Sequence, residues 1–189
     1  MFNKKYVGDY RLENEKNKKG KQVTKAVYKS AYFVFEKPED EVKSAVRVLT
    51  VLTALAAAAF VIALVFYSNK GFSAQYYTLI PFALCVFPLM YLGFAVFALN
   101  KFLRGSDRRA TREQKDKMHE RVAKSSFVIM LLSGWNLCGI ILAFILMTVG
   151  REARPVTAND IIFALMSIIF FTSAVFSFSF RKKLQMRQE

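Results

Sequence analysis

The chain alternates between long apolar stretches and short, strongly charged segments. Four stretches contain no charged side chain, and they cover residues 48–67, 77–99, 127–149 and 161–180. Each is 20 or 23 residues long, and a helix of about 20 apolar residues crosses the hydrocarbon core of a bilayer. The pattern therefore predicts an all-α membrane protein built as a four-transmembrane-helix bundle.

Composition agrees with this pattern and excludes other classes. Hydrophobic residues make up 54% of the 189 residues, and the 22% that are charged lie entirely outside the four stretches. A soluble domain or a disordered chain does not segregate its charges in this way. The net charge of +14 does not coat one globular face, so no nucleic-acid partner is expected.

The first 37 residues carry a weaker, two-residue pattern. Two sets of alternating positions lie 22 residues apart, namely Tyr6, Gly8, Tyr10 and Leu12, and then Tyr28, Ser30, Tyr32 and Val34. The charged segment 13–22 between them contains Gly20, which is typical of a turn. We expect a β-hairpin whose second strand covers residues 27–35. The alternative is a flexible basic tail.

Two local signals predict where helices begin outside the apolar stretches. Pro38 is followed by three acidic residues, which suit the first turn of a helix. Thr111 and Gln114 have the spacing of a capping box. We expect a helix from about Arg112 that continues into the third span.

These elements divide the chain into five parts. They are a cytoplasmic N-terminal region with a possible β-hairpin (1–37), a first transmembrane hairpin (38–104), a basic cytoplasmic linker and helix (105–126), a second transmembrane hairpin (127–180) and a basic cytoplasmic tail (181–189).

The basic residues predict the orientation. Segments 1–47, 100–126 and 181–189 hold 25 of the 28 Lys and Arg residues, and the two short loops hold 3. Because Lys and Arg accumulate on the cytoplasmic side, both termini are expected there. The first 47 residues are polar, so we expect the first span to act as the insertion signal. The polar N-terminal region and the short loops favour a multi-pass protein of a bacterial plasma membrane, and a eukaryotic endomembrane is the alternative.

Basic side chains just beyond the span ends are expected to contact anionic lipid headgroups on the cytoplasmic side. These residues are Arg47, Lys101, Arg104, Lys124, Arg181, Lys182 and Lys183.

Groups that carry chemistry are scarce. The spans contain no charged residue, which removes the usual machinery of proton coupling, voltage sensing and di-acid proteolysis. His119 is the only histidine, and we expect it at the solvated surface. Cys85 and Cys138 lie in different spans and are expected to be buried small hydrophobes. No catalytic residue, metal site or cofactor is predicted.

The polar residues inside the spans are predicted to mediate helix packing. Asn136 is the most polar, and it should form an interhelical hydrogen bond. Small residues on the helix faces, which include Ser133, Gly139, Ser167 and Ser177, would let backbones approach closely. The same serine faces could instead line a narrow pore in an oligomer. Pro81 and Pro88 lie on one face of the second span and predict a bend.

Three functions remain open at this stage. The absence of catalytic groups and the large cytoplasmic face favour a non-catalytic accessory or interaction subunit of a membrane complex, with a membrane-protein partner or a second copy of the chain. The alternative is a small oligomeric transporter or channel. An enzyme acting on lipid headgroups is the least favoured, because the carboxylates are better explained as turn and helix-start residues.

Overall fold

The computed structural model describes residues 4–16, 22–68, 71–105, 109–149 and 155–189. The helices are α1 (Glu39–Val65), α2 (Tyr76–Leu84), α3 (Val86–Arg104), α4 (Arg112–Lys115), α5 (Arg121–Val149) and α6 (Ala158–Phe180). The strands are β1 (Tyr10–Lys16), β2 (Gln22–Tyr28), β3 (Phe33–Phe35) and β4 (Met186–Gln188). Short 3-10 segments cover Lys4–Asp9, Phe72–Ala74 and Arg181–Leu184, and a π-helical turn covers Asp116–Glu120.

The four predicted spans are confirmed. Four segments are long and apolar enough to cross a membrane, and they cover Glu39–Val65, Tyr76–Arg104, Arg112–Thr148 and Ala158–Leu184. The first span ends two residues earlier than expected. All four begin before their apolar stretch, and the first and third begin 9 and 15 residues early because charged helical turns lead into them. The chain is a multi-pass membrane protein with an all-α membrane domain.

The spans form an up-and-down bundle in which neighbours in sequence are neighbours in space. The helix α1 packs against α3 and α6, and α5 packs against α6, α2 and α3. Four buried phenylalanines from three spans meet inside the bundle, namely Phe60, Phe82, Phe163 and Phe170. The rings of Phe60 and Phe82 stack with centroids 4.6 Å apart, which fixes α1 against the second span through aromatic packing.

The second span is interrupted between its two prolines. Pro81 has no N–H, so the helix loses the hydrogen bond to the carbonyl of Tyr77. One turn later the N–H of Cys85 donates to the carbonyl of Phe82, 3.1 Å away, rather than to that of Pro81, and Pro88 has no N–H for the carbonyl of Leu84. Regular α-helix stops at Leu84 and resumes at Val86. The interruption lies where a bend was predicted.

The N-terminal β-hairpin is confirmed, but its predicted limits are wrong. The strands β1 and β2 pair antiparallel from Tyr10 opposite Tyr28 to Lys16 opposite Gln22. They therefore extend into the charged segment assigned to the turn. A two-stranded ribbon with exposed side chains can contain charged residues along its whole length. The alternation of apolar residues therefore did not show where its strands end. Residues 4–9 form a 3-10 segment rather than a strand.

The predicted second strand is likewise divided in two. The strand β2 ends at Tyr28, and β3 pairs with β4 at the other end of the chain. Phe33 also exchanges two backbone hydrogen bonds with Ala110, both 2.8 Å long. Three segments far apart in sequence thus meet at one end of the bundle. We call this the basic end, comprising the described residues of 4–47, 100–126 and 181–189. The loop end at the other side of the bundle comprises the described residues of 66–75 and 155–160.

The helix starts are close to those predicted. Pro38 lies immediately before α1 instead of inside its first turn. Thr111 forms a complete capping box with Gln114, so α4 begins at Arg112 as predicted. The lead-in to the third span contains the π-helical turn at Asp116–Glu120, which the sequence pattern did not indicate.

Candidate functional site

The centre of the bundle contains one tight polar contact between the second and third spans. Asn136 of α5 is 1% exposed, and its Nδ2 donates to the carbonyl of Thr78 in α2 at 3.0 Å. Gly139 lies one turn further along α5 and faces the same part of α2. Asn136 is therefore a packing contact between helices, and its Oδ1 is buried without a hydrogen-bond partner among the described residues.

The predicted serines are buried but do not converge on a site. Ser133 donates to the carbonyl of Ile129 in its own helix, 2.6 Å away. Ser167 and Ser177 are 1% exposed on α6, and the Oγ of Ser167 has no partner within the described part of the chain. The hydroxyl of Ser133 thus donates its proton to the backbone of its own helix, which is a local contact and gives no indication of a ligand site.

The loop end is fixed by a buried carboxylate that our sequence analysis missed. Asp160 is 2% exposed, and its Oδ1 accepts a hydrogen bond from the N–H of Phe72 at 2.9 Å. Its Oδ2 accepts from the N–H of Thr157 at 3.0 Å and from the hydroxyl of Thr157. One side chain thus caps α6 and joins the two loops of the loop end.

The neighbouring glycine completes this arrangement. A Cβ built on Gly71 would overlap Oδ1 of Asp160, so only glycine fits at this close approach. The signal for Asp160 was present in the sequence. Thr157 and Asp160 have the spacing of a capping box directly before an apolar stretch, the same pattern that identified Thr111.

At the basic end, hydrogen bonds connect the hairpin to the lead-in of the third span. The hydroxyl of Tyr6 donates to Oδ2 of Asp116 at 2.7 Å. The hydroxyl of Tyr28 donates to the carbonyl of Ala31 at 2.9 Å and accepts from the N–H of Arg112 at 3.0 Å. The contacts to Asp116 and Arg112 join residues more than 80 apart in sequence and order the N-terminal region against the bundle.

The C-terminal tail joins the same structure. Arg109 forms an ion pair with Glu189, with Nε 2.9 Å from Oε2. The N–H of Glu189 donates to the carbonyl of Tyr32 at 2.9 Å. The basic end is therefore an ordered platform built from both termini and the central linker.

Among the cavities that open at the basic end, two share Lys101 in their lining. One, of about 650 Å³, is lined by residues that include Tyr32, Lys101, Arg109, Gln114 and Lys117. The other is a groove of about 490 Å³ between α1 and α3. Both include Lys101, so cationic side chains border both cavities.

The residues predicted to contact lipid headgroups all lie at the basic end. Those that are exposed are Arg47, Lys101, Arg104, Lys124, Lys182 and Lys183. Arg181 is half-buried, and its guanidinium lies 3.7 Å from the ring centroid of Phe178. Lys124 pairs with Glu120 at 2.9 Å.

Two expectations about reactive side chains are wrong. Cys85 is buried, but Cys138 is exposed on the outer face of the bundle because it follows the inward-facing Asn136 by half a turn. His119 is half-buried, with its Nε2 buried, because it lies close to Arg181 in the 3-10 segment that follows α6. Within the described ranges, no three His, Cys, Asp or Glu residues cluster as metal ligands would.

Comparison with protein-family models, with curated proteins and with solved structures finds no match to this chain. The function is therefore inferred from the chemistry of the basic end, the loop end and the bundle between them.

Proposed function

We propose that this chain is a non-catalytic accessory or interaction subunit of a plasma-membrane complex, with both termini cytoplasmic and the basic end as its docking surface. The observation that carries this proposal is the ordered platform described above. Residues near both termini and in the central linker are joined there by backbone pairing between Phe33 and Ala110 and between β3 and β4. An ordered structure of this size outside the spans favours a role in the recognition of a partner.

The charge of the platform indicates the chemistry of that partner. Segments 1–47, 100–126 and 181–189 contain 25 Lys and Arg against 12 Asp and Glu. A strongly positive surface attracts a negative one and accelerates their association. We therefore propose a protein partner with an acidic surface, and the same excess of positive charge supports a cytoplasmic orientation in a bacterial plasma membrane.

The β-hairpin offers an apolar contact within this basic surface. Leu12 on β1 is 69% exposed, and its hairpin belongs to the basic end. An exposed leucine offers apolar area that a partner can bury, and the buried centre of an interface is more apolar than its polar rim. Leu12 is our candidate for the central docking residue.

The bundle interior supports a structural role over a transport role. The rings of Phe82 contact those of Phe60 and Phe163 at centroid distances of 4.6 and 5.3 Å. Phe170 lies 5.7 Å from Phe60. Aromatic rings packed in this way fill the space that a solute would need between the spans.

The test is purification of the tagged chain from its own membranes in a mild detergent, followed by quantitation of bound protein. We expect a stoichiometric acidic partner that is lost from Leu12→Asp. The matched control is Asn159→Asp, which adds a carboxylate to an exposed position at the loop end and should leave the partner bound. Recovery of the parent chain alone, or only as a self-assembled oligomer, contradicts the proposal.

The alternative is a small oligomeric transporter or channel. The observation that favours it is the pair of buried polar atoms without partners among the described residues, Oδ1 of Asn136 and Oγ of Ser167. A transporter reconstituted in vesicles should conduct a solute, and Asn136→Leu should abolish that flux while the protein stays folded. Absence of flux from the parent protein removes this alternative.

A further inference from the structure

A groove at the basic end runs between α1 and α3 and faces the surrounding bilayer. It has a volume of about 490 Å³. The residues that line it are Thr50, Gly93, Val96, Phe97, Asn100, Lys101 and Arg104. All but Thr50 come from one helix.

The α3 residues form a continuous face of that helix. Their positions are 93, 96, 97, 100, 101 and 104, and steps of three and four residues keep side chains on one side of a helix. The face covers eleven helical steps, or about 16 Å. A ligand in the groove would therefore lie along the helix axis, which is also the direction of the lipid chains.

The chemistry changes along this face. The part from Gly93 to Phe97 is apolar and lies within the apolar stretch 77–99. The part from Asn100 to Arg104 lies beyond that stretch, at the level of the headgroups. An apolar groove that ends at two cations matches the shape and polarity of a phospholipid with a negative headgroup.

The two cations are available for a ligand. Lys101 and Arg104 are exposed, and neither forms an ion pair with a described acidic residue. No acidic side chain lines the groove. The amide of Asn100 donates to Thr50 Oγ1 and to the carbonyl of Val96, both 3.0 Å away, which ties α3 to α1 at the level of the cations.

The apolar part contains a notch at Gly93. A Cβ built on Gly93 would meet nothing within 4 Å, although the residue lies in the middle of a helix. Phe97, one turn further on, is 70% exposed. Glycine thus leaves open the space beside Phe97 that a larger side chain would fill.

We propose that this groove binds one anionic phospholipid, with its phosphate between Lys101 and Arg104 and an acyl chain along Gly93, Val96 and Phe97. The site is distinct from the general attraction of basic residues to the membrane surface, because it pairs cations with an apolar channel of defined direction. It is also independent of the docking surface centred on Leu12.

The test is native mass spectrometry of the detergent-solubilised full chain with added phosphatidylglycerol, with phosphatidylcholine and with inorganic phosphate. We expect one tightly retained phosphatidylglycerol and no retained phosphatidylcholine. Lys101→Gln with Arg104→Gln should weaken retention about tenfold to thirtyfold. Gly93→Leu, whose Cβ would meet nothing within 4 Å, fills the notch and should weaken retention by a similar factor.

The matched control is Lys182→Gln with Lys183→Gln, which removes two cations just beyond another span and should leave retention unchanged. Equal weakening by this control would mean diffuse electrostatic attraction and would overturn the proposal. It is also overturned if Gly93→Leu has no effect, or if inorganic phosphate displaces the lipid at equal concentration. Thermal unfolding of each variant in the same detergent verifies that it is folded.

Discussion

Gly139 of α5 packs directly on the backbone of Tyr77 in α2. A Cβ built on Gly139 would lie 2.9 Å from the carbonyl oxygen of Tyr77 and 2.8 Å from Cγ2 of Thr78. That carbonyl is the one that Pro81, four residues later, cannot bond. Gly139 of the third span therefore packs on a carbonyl of the second span that has lost its usual helical hydrogen bond.

This contact predicts that Gly139→Ala destabilises the bundle by about 1–3 kcal/mol, because the backbones must separate. Gly93→Ala is the matched control, since its Cβ would meet nothing within 4 Å. It should be neutral or stabilise by up to about 1 kcal/mol through helix propensity. Denaturant unfolding in detergent measures both, and equal effects of the two variants would contradict the proposed packing.

Asn136 provides a second test of the same interface. Asn136→Leu removes the hydrogen bond to the carbonyl of Thr78, and interhelical hydrogen bonds in membranes are worth about 0.6 kcal/mol on average and up to about 1.7. We expect a loss of unfolding free energy in that range and an unchanged oligomeric state. An unfolding free energy equal to that of the parent would show that the bond contributes nothing to stability.

Asp160 should be the most sensitive polar side chain of the loop end. In Asp160→Asn, only one side-chain atom can accept a hydrogen bond, whereas the two carboxylate oxygens of Asp160 accept from Phe72 and Thr157. Since a hydrogen bond to a charged group contributes about 1.5–3 kcal/mol, we expect a loss of unfolding free energy of that size. Gln114→Ala is the control, because Gln114 has the same N3 position in an exposed capping box. It should cost less than Asp160→Asn in thermal unfolding. The reverse order would contradict the role given to Asp160.

Tyr28 should couple the hairpin to the third span. Tyr28→Phe removes a hydroxyl that bonds both Ala31 and Arg112, whereas the hydroxyl of Tyr32 has no hydrogen bond among the described residues. We expect faster amide hydrogen exchange at residues 22–35 and 109–115 in Tyr28→Phe, consistent with loss of about 1 kcal/mol per bond. Tyr32→Phe should leave the exchange at the parent rate. Identical exchange in both variants would argue against this coupling.

The spans were predictable because charged side chains are strongly disfavoured in the hydrocarbon core of a bilayer. Stretches such as 127–149 contain no charged residue over their full length. The capping box at Thr111 was equally predictable, since it is formed by two residues only three positions apart. Pro81 and Pro88 indicated the interruption at Cys85 because proline removes a donor wherever it occurs.

The remaining structure depends on contacts that no local pattern encodes. The strands β3 and β4 are three residues each. Each is too short to be recognised by its own pattern, and they pair although they lie near opposite ends of the chain. The burial of Asp160 requires the loop at Gly71, 89 residues earlier. Loop closure of this kind follows from the packing of the helices, so the sequence around each partner does not reveal it.

The central claim is that the apolar helices cross a membrane and that the basic end, with both termini, lies on its cytoplasmic side. Single cysteines test it in a chain whose Cys85 and Cys138 are replaced by Ala. The positions are Asn159 at the loop end, and Thr24 and Arg187 at the basic end; all three are exposed. In intact cells, a membrane-impermeant thiol reagent should label Asn159→Cys at once, and Thr24→Cys and Arg187→Cys only after permeabilisation. Labelling of either basic-end cysteine in intact cells, with Asn159→Cys protected, would contradict the account.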